Sequence, residues 1–329
     1  MIKRVILSNF RNFSIFKSNF ERVNVIKGRN GAGKTNLLEA IYFSLNGHPF
    51  NRNLKGTIKH GEKQAGISSQ IGENTVHITV FEDRKVLKLN GKTVRVIDLK
   101  KKFPCVDYSI NSFISFKSKD YLFSLIDRGV FAEKEVIMSW LLEYKRLMAT
   151  KRKLLRRDSI DRVALNVLNE KLIRVISDIS NIRKRLIGAI NERVADCFNG
   201  FTGKSLKVEY VIGSVNGKFE EELVKKRVLV SLKKDSLKIF MDNLDMFMFS
   251  SVGEKKVALL CIVLAIVKLY NENGRLPVFI VDDLEGDLDS GTQKKAFKTI
   301  INLPNQIFIT TLGAYSGYNT IELNGGSLD

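Results

Sequence analysis

The chain of 329 residues is strongly basic: 54 lysines and arginines against 35 acidic residues give a formal net charge of +19. Its longest apolar run, VALLCIVLAIV (257–267), is too short to span a bilayer, and its first residues lack the apolar core of an export signal, so neither a membrane protein nor a secreted one is expected. The net charge suits a polyanionic partner, nucleic acid in preference to an anionic membrane surface. The three cysteines and three histidines are scattered, which disfavours a disulfide framework or zinc motif and favours a reduced, cytoplasmic protein.

The first hundred residues combine short strand patterns with one early helix. Apolar runs at 2–7 and 23–26 predict strands, and Asn90-Gly91, between two further β patterns, is a strong hairpin-turn signal. This part of the chain is therefore expected to be a β-rich lobe built around one helix.

The stretch GRNGAGKT (28–35) has the phosphate-loop spacing G-x-x-x-x-G-K-[ST] between a strand pattern and a helical pattern. Its glycines let backbone amides approach phosphate oxygens, while Lys34 would reach the β- and γ-phosphates and Thr35 a Mg²⁺ ion. A glycine-rich turn that matches by chance is the alternative, and the strand-before, helix-after context favours phosphate binding. The predicted nucleotide-binding residues here are Gly28, Arg29, Asn30, Gly31, Ala32, Gly33, Lys34, Thr35 and Asn36.

Long helical patterns occupy the chain from about residue 133 to residue 199. Apolar residues at alternating intervals of three and four form a heptad seam, namely Leu165, Leu168, Leu172, Val175, Ile179, Ile182, Leu186 and Ala189. Its expected partner is the preceding helix, which carries Trp140, Leu141, Tyr144, Leu147, Leu154 and Leu155. A turn at 158–161 favours a hairpin within one chain over a dimerising zipper.

The densest basic run lies near the end of the first of these two helices. It predicts phosphate contacts with duplex DNA without base reading, and a solvated helix face is the alternative. The predicted DNA-contacting residues are Lys145, Arg146, Lys151, Arg152, Lys153, Arg156 and Arg157, with Arg183, Lys184 and Arg185 on the presumed partner helix.

Strand patterns return after residue 203 with LKVEYVIG and RVLVSL, followed by a helix at 254–271 and the strands VFIVDD and QIFITT. Asp282 and Asp283 come at the carboxyl end of an apolar strand, where open α/β sheets bind ligands. Asp282 is expected to hold Mg²⁺ and Asp283 to polarise an attacking water. The alternative, a buried strand that ends in acids by chance, explains Asp282 poorly because unpaired buried carboxylates are costly.

A second anion cradle is predicted just before the apolar helix, where SSVGEKK places Ser251, Val252 and Gly253 at a helix N-terminus. One chain seldom closes two such cradles around one γ-phosphate, so we expect this one to serve the nucleotide of a neighbouring copy. The overall layout is a mixed α/β domain made from both chain ends, with a helical domain inserted in the middle.

The order of motifs FRNF (10–13), GRNGAGKT, LNGKTV (89–94), SVGEKK, VFIVDDLEGDLD and IFITT resembles the RecF family of bacterial DNA replication and repair proteins, which are relatives of SMC and ABC-type ATPases. The resemblance implies an ABC-type P-loop ATPase head at 1–110 and 205–329 and an inserted helical domain at 111–204.

The resemblance also implies roles for individual residues. Lys34 and Thr35 would form the Walker A site, Asp282 the Walker B site and Asp283 the catalytic acid. Ser251 and Gly253 would be the signature motif, with Arg11 and Asn12 close to the nucleotide. The expected activity is a weak, DNA-stimulated ATPase that uses ATP and Mg²⁺, forms an ATP-dependent homodimer on double-stranded DNA near gaps, and cooperates with RecO and RecR at the nucleoid.

Several positions depart from the family pattern. Glu254 replaces the signature glutamine and adds a negative charge near the expected phosphate site, and Gly286 replaces the D-loop serine. These changes bear on hydrolysis rather than on nucleotide binding, so a nucleotide-gated DNA clamp with negligible hydrolysis is the alternative function. An SMC protein would need hundreds of coiled-coil residues, and a transporter ATPase an LSGGQ-like signature, neither of which is present.

Overall fold

The computed structural model describes residues 1–133, 136–157, 159–213, 218–311 and 317–324. Its β-strands are β1 (Ile2–Phe10), β2 (Phe13–Asn19), β3 (Val23–Gly28), β4 (Ala65–Ile71), β5 (Asn74–Val80), β6 (Lys85–Leu89), β7 (Lys92–Thr93), β8 (Cys105–Tyr108), β9 (Leu206–Val211), β10 (Ser236–Met241), β11 (Leu244–Asp245), β12 (Val278–Val281), β13 (Ile307–Thr310) and β14 (Asn319–Leu323). Its α-helices are α1 (Lys34–Asn46), α2 (Val96–Lys102), α3 (Ile110–Ser115), α4 (Lys119–Glu133), α5 (Val136–Leu155), α6 (Arg162–Thr202), α7 (Phe219–Lys225), α8 (Met246–Phe249), α9 (Val252–Glu272) and α10 (Ser290–Ile301).

The two chain ends form one compact unit, Met1–Ser115 with Tyr270–Asp329. Its first sheet is antiparallel with the strand order β2-β1-β4-β5-β6-β7. The predicted turn between β6 and β7 is confirmed, because Asn90 and Gly91 both have positive φ, at 49° and 80°. Two such residues in succession give the turn whose twist matches a hairpin.

The second sheet of this unit is parallel, in the order β14-β3-β13-β12-β8. Strands β12 and β13 are buried along their length and β3 over its first four residues, as expected for a parallel sheet that is covered on both faces. The carboxyl ends of β3, β12 and β13 therefore lie along one edge, at Gly28, Val281 and Thr310.

Helix α1 packs between the two sheets of this unit. It contacts β1 and β4 of the antiparallel sheet and β3 and β13 of the parallel one. Its buried side chains, including Leu37, Ile41 and Phe43, join one hydrophobic cluster with residues of both sheets. This core fixes the start of α1, and with it the loop that leads from β3.

Residues Phe116–Leu269 form a second compact unit of helices and the small antiparallel sheet β11-β10-β9. Asp161 caps α6 by accepting a hydrogen bond from the Ala164 amide at 3.0 Å. Helices α5 and α6 pack against each other within the chain. The predicted seam is buried from Leu165 to Leu186; Asp158, in the predicted turn, lies outside the described residues.

The compact units divide the chain differently from the expected boundaries, because residues 205–269 group with the helices. The cause is β9, which packs on α6 and pairs with β10. The Asn191 side chain on α6 bonds both the amide and the carbonyl of Val208, at 2.8 and 2.9 Å, which joins the helix to the strand.

The strand predicted for RVLVSL is wrong, since 227–231 carry no regular structure. Their backbone donors find a side chain instead of a neighbouring strand. The amides of Leu229 and Val230 both donate to Oε1 of the buried Glu222, at 2.6 and 2.8 Å. Once satisfied by a carboxylate, these amides need no sheet partner.

Candidate nucleotide site

The loop between β3 and α1 follows a path that requires glycine. Gly33 caps α1 with φ of 103°, and a β-carbon there would lie 2.6 Å from the Asn12 amide nitrogen. A β-carbon on Gly28 would lie 2.7 Å from the Leu323 carbonyl oxygen. The loop is thus closely supported from behind, and its amides and the N-terminus of α1 are arranged as an anion cradle.

Asn12 supports this loop from behind. Its side-chain amide donates to the Ala32 carbonyl at 3.3 Å, and its oxygen accepts from the Asn36 side chain at 2.8 Å. Arg11 is engaged elsewhere, since its guanidinium pairs with the buried Glu39 carboxylate of α1 at 2.7 Å. Both residues therefore hold the loop and α1 in place, and direct contact of either with a nucleotide stays a prediction.

The ammonium of Lys34 lies within the curve of the loop. It donates to the carbonyl oxygens of Gly28 at 2.7 Å and Arg29 at 3.2 Å. A cation held this way adds to the positive end of the α1 dipole, so a phosphate group would meet both at the same place.

Asp282 is the buried acid of the site, with 3% of its surface exposed. Its Oδ2 accepts a hydrogen bond from the Thr35 hydroxyl and its Oδ1 one from the Thr310 hydroxyl, both at 2.8 Å. Burial raises the pKa of Asp282, while these two hydroxyls and Lys34 oppose the rise. The charged form is thus under-compensated, and a cation nearby would stabilise it.

These groups fit a Mg²⁺ ion. The Thr35 hydroxyl and the Asp282 carboxylate are hard oxygen donors within 2.8 Å of each other, beside a loop built for phosphate. Mg²⁺ commonly takes one or two protein ligands and completes its shell with phosphate oxygens and water. Among the described residues, no group of three or more histidine, cysteine or acidic side chains is placed to hold a metal ion.

Asp283 sits where β12 ends, in a left-handed conformation with φ of 57°. Its amide donates to the Thr310 hydroxyl at 2.9 Å, so the same threonine fixes both consecutive acids. A left-handed backbone is uncommon for a residue other than glycine.

A pocket of about 390 Å³ lies at this edge of the parallel sheet. Eight predicted residues line it, namely Asn30, Gly31, Gly33, Lys34, Thr35, Asn36, Asp282 and Asp283. The predicted residues Gly28, Arg29 and Ala32 line a second concavity of about 720 Å³, together with Lys27 and Glu322. Asn30 and Gly31 line both concavities.

Sequence reasoning missed four residues that line the first pocket: Ile110, Glu285, Thr310 and Thr311. The Thr311 hydroxyl donates to the Glu285 carboxylate across the pocket wall. A signal for Thr310 was available, because β13 runs parallel to β12 and its last residue must reach the same edge. The positions of Glu285 and Ile110 in the pocket depend on the conformation of loops, which residue spacing does not predict.

The second predicted cradle lies in the other unit, at the start of α9. The Ser251 hydroxyl accepts from the Glu254 amide at 3.2 Å, and the Glu254 carboxylate accepts from the Ser251 amide at 2.7 Å. This reciprocal arrangement is a capping box, in which Glu254 serves the helix terminus.

The charge of Glu254 is matched by Lys204, whose ammonium lies 2.6 Å from the carboxylate. This contact lowers the pKa of Glu254 and raises that of Lys204, so both stay charged at neutral pH. The expected excess of negative charge at the signature is therefore offset by a residue 50 positions away in the chain.

Of the seven predicted DNA-contacting residues between 145 and 157, six are exposed and Lys151 is the exception. On α6, Lys184 and Arg185 are exposed. The prediction for Lys151 is corrected: its side chain is fully buried, 2.6 Å from Glu222 and 4.6 Å from the centre of the Phe219 ring. Burial lowers the pKa of Lys151, and the contact with Glu222 opposes that effect. Arg183 is likewise buried, in a two-point contact with Asp127 at 2.8 Å for each bond.

The exposed part of the basic run is therefore smaller than the sequence suggests. We call it the basic surface, and it consists of Lys145, Arg146, Arg152, Lys153, Arg156 and Arg157.

In the described part of the chain, no helix is both long and apolar enough to cross a membrane.

Comparison with known proteins gives concordant matches. The model of the RecF/RecN/SMC N terminal domain family matches residues 1–322. A protein of Tropheryma whipplei (strain TW08/27), named DNA replication and repair protein RecF, is 29% identical, with 98% of this chain and 94% of that protein aligned. A protein of the same name from Clostridioides difficile (strain 630) is 25% identical, with 94% and 91% aligned.

Solved structures show the same fold. The structure titled as the recombination mediator protein RecF-ATP in the RecFOR pathway superposes with a TM-score of 0.85 at 22% identity, covering 100% of this chain and 96% of that one. The Smc head domain of Pyrococcus furiosus, with an extended coiled coil, reaches a TM-score of 0.59 at 18% identity, covering 95% and 89%. The predicted ABC-type head fold, built from both chain ends, is confirmed.

Proposed function

Since the chain belongs to the RecF/RecN/SMC N terminal domain family and is a divergent member of the RecF family, we propose that it is an ATP-dependent DNA-binding protein of replication and recombinational repair. The observation that carries the proposal is the bonding of Thr35, Asp282 and Thr310 at the edge of the parallel sheet. It joins the phosphate loop to a buried acid, as a site for a metal–triphosphate complex requires.

In the proposed complex the loop amides and Lys34 bind the phosphates of ATP, while Thr35 and Asp282 hold Mg²⁺. The bound ion supplies positive charge that offsets the charge developing on the transferred phosphate. Asp283 then orients and polarises the attacking water from the turn after β12. It has one methylene group fewer than glutamate, so we expect it to hold water less well and turnover to be slow.

The second half of the site is proposed to come from another molecule. Ser251 and Gly253, at the N-terminus of α9, are suited to cap the γ-phosphate bound by the loop of a second copy. Two ATP molecules would then close a homodimer, and hydrolysis would open it. A clamp that binds ATP with negligible hydrolysis is the alternative, and the short side chain of Asp283 favours it.

Double-stranded DNA near a gap is the proposed partner, held by the exposed basic surface through its phosphates. The net charge of +19 supports a polyanionic partner. RecO and RecR are proposed partner proteins because homologues carry the RecF name and one solved relative is assigned to the RecFOR pathway. We accordingly place the protein in the cytoplasm, at the nucleoid.

Light scattering with and without ATP and Mg²⁺ tests the proposal. Wild-type protein should dimerise only with ATP, and Lys34→Met should remain a monomer because it no longer grips the phosphates. Ser251→Arg should bind ATP and still fail to dimerise. Dimers of unchanged stability in Ser251→Arg would contradict the shared site, while ATP turnover with and without duplex DNA separates the weak ATPase from the clamp.

A further inference from the structure

Four large apolar side chains are exposed within nine residues of chain next to Ser251. They are Leu244 on β11, Met248 and Phe249 on α8, and Val252 at the start of α9, with 53%, 77%, 64% and 50% of their surfaces exposed. We call this set the apolar patch. A cluster of exposed apolar side chains this dense commonly marks a surface that another molecule covers.

The fold holds these side chains outward. Helix α8 is anchored by Met246, which is fully buried, and by Phe247, whose ring packs edge-on against Phe116 at 5.3 Å. Asp245 caps the same helix by accepting from the Phe247 amide at 2.9 Å. Phe247 is half-buried, and the next two side chains of α8, Met248 and Phe249, are exposed.

The chemistry of the segment argues against DNA as the occupant. Residues 244–252 contain no lysine or arginine in a chain that is otherwise strongly basic, and they include Asp245. Phosphate binding requires cations, so an acidic and apolar segment is unsuited to it. A protein surface with its own exposed apolar side chains is the chemical match.

The chain itself carries such a surface at the mouth of the nucleotide pocket. Ile110, which lines the pocket, is 43% exposed, and Ile114 on the same short helix α3 is 72% exposed. In the proposed dimer, the Ser251 of one copy reaches the triphosphate in the pocket of the other. The apolar patch adjoins Ser251 along the chain, while Ile110 lines the pocket and Ile114 lies one turn further on the same helix. Closing the site would bring these two surfaces together.

We propose that the apolar patch docks on Ile110 and Ile114 of a second copy of this chain. Two-fold symmetry makes this contact twice, once beside each ATP. The contact places apolar side chains beside the triphosphate and excludes bulk water, apart from the attacking water held by Asp283, which strengthens the bonds from the Ser251 cradle. This inference rests on the proposed ATP-dependent dimer and adds the surface that holds it closed.

Charged substitutions in the patch test this contact. Met248→Asp and Phe249→Asp place a carboxylate where an apolar surface is to be buried, so each should weaken ATP-dependent dimerisation at least about tenfold. The affinity of the monomer for a fluorescent ATP analogue should not change. Val163→Asp, at a 75% exposed position near the start of α6, adds the same charge away from the patch and should dimerise normally.

The possible outcomes separate the two proposals. If wild-type protein binds ATP and stays monomeric, the proposed function fails. If wild-type protein dimerises and both patch variants dimerise equally well, only the docking inference fails. The docking inference also fails if a patch variant dimerises normally but no longer binds a different protein partner.

Cross-linking between two different variants shows which surfaces meet. We would mix Ile114→Cys protein with Phe249→Cys protein, both carrying Cys197→Ser so that the remaining native cysteines, Cys105 and Cys261, are buried. A short bismaleimide should join unlike chains when ATP and Mg²⁺ are present. Replacing Phe249→Cys by Val163→Cys should abolish the product, and equal cross-linking by both would contradict the inference.

Discussion

The Asp282 carboxylate carries an electrostatic cost that a bound ligand is suited to relieve. Burial raises its pKa, so the charged form is less favourable in the folded chain than in the unfolded one. The stability that the carboxyl group contributes is complete below pH 3.8 and is lost as the pH rises through its higher folded-state pKa. At neutral pH the folded chain therefore bears this cost unless a cation is bound.

Asp282→Asn should separate stability from ligand binding. Without ligand, we expect the variant to be at least as resistant to urea as the wild type at pH 7, because the buried charge is gone while an amide can still bond to the threonine hydroxyls. Its affinity for ATP with Mg²⁺ should fall at least about tenfold. Equal stabilisation of both proteins by ATP and Mg²⁺ in thermal melts would contradict the assigned role.

The lowered pKa of His48 predicts that the folded head loses stability in acid. Burial, with nearby Lys100, lowers the pKa of His48 from 6.5 to about 4. Between pH 6.5 and about pH 4, His48 is protonated in the unfolded chain and neutral in the folded chain. The free energy of unfolding therefore falls as the pH falls. The difference of about 2.5 pKa units corresponds to a loss of up to about 3 kcal/mol by pH 4.

Urea unfolding of the wild type and His48→Gln at pH 7.5 and pH 4.5 measures this contribution. Both proteins should lose stability in acid, and the variant should lose about 2 to 3 kcal/mol less than the wild type. Parallel losses would mean that other groups govern the acid response.

At the scale of elements, the N-terminus of α9 depends on two charges that offset each other. Lys204→Ala leaves the Glu254 carboxylate beside Ser251 without its cation, so it should repel an approaching γ-phosphate. We expect ATP-dependent dimerisation to weaken about tenfold, and Lys204→Ala combined with Glu254→Gln to restore it. Lys207→Ala removes an exposed lysine that pairs with Glu209 on the same strand, β9, and provides the control in light scattering.

The outcome for Glu254→Gln alone is equally informative. Glutamine can keep the capping box, so α9 should stay intact and dimerisation should match or exceed that of the wild type. Loss of dimers in this single variant, with the helix intact, would show that the carboxylate itself is required and that Lys204 does not act through it.

Elements whose signals are local could be predicted from the sequence. The loop at 28–35 lies between a strand and a helix as its spacing indicates, and the heptad seam of α6 packs on α5 within one chain. The strand predicted for RVLVSL is wrong because its structure depends on a contact with another element. Its composition favours a strand, yet Glu222 on α7 supplies the acceptors that a neighbouring strand would have offered.

Charged residues were harder to place than apolar ones. Lys151 and Arg183 lie in basic stretches, which predict exposed side chains. Lys151 is instead buried against Glu222, and Arg183 against Asp127, each of which is distant in the sequence. Lys204 was missed for the same reason, since its partner is 50 positions distant. Ion-pair partners depend on tertiary packing, which residue spacing along one element does not encode.

At the scale of the whole molecule, the basic charge predicts salt-sensitive DNA binding. Each phosphate contact releases counterions, so the affinity for duplex DNA in the presence of ATP should fall steeply and linearly on a log–log plot against salt. Replacing Arg152 and Arg156 by alanine should reduce the slope by about two. Lys92→Ala, which removes an exposed lysine on β7, should leave the slope unchanged, and a basic-surface variant with the wild-type slope would place the DNA elsewhere.

The under-compensated acid at the end of β12 has a consequence for the life of the protein in the cell. A ligand that offsets this charge only in the folded chain favours folding by mass action. When ATP runs short, more molecules will open, and heat and proteases will remove them sooner. Cellular abundance of this protein should therefore follow the energy supply, even at constant synthesis.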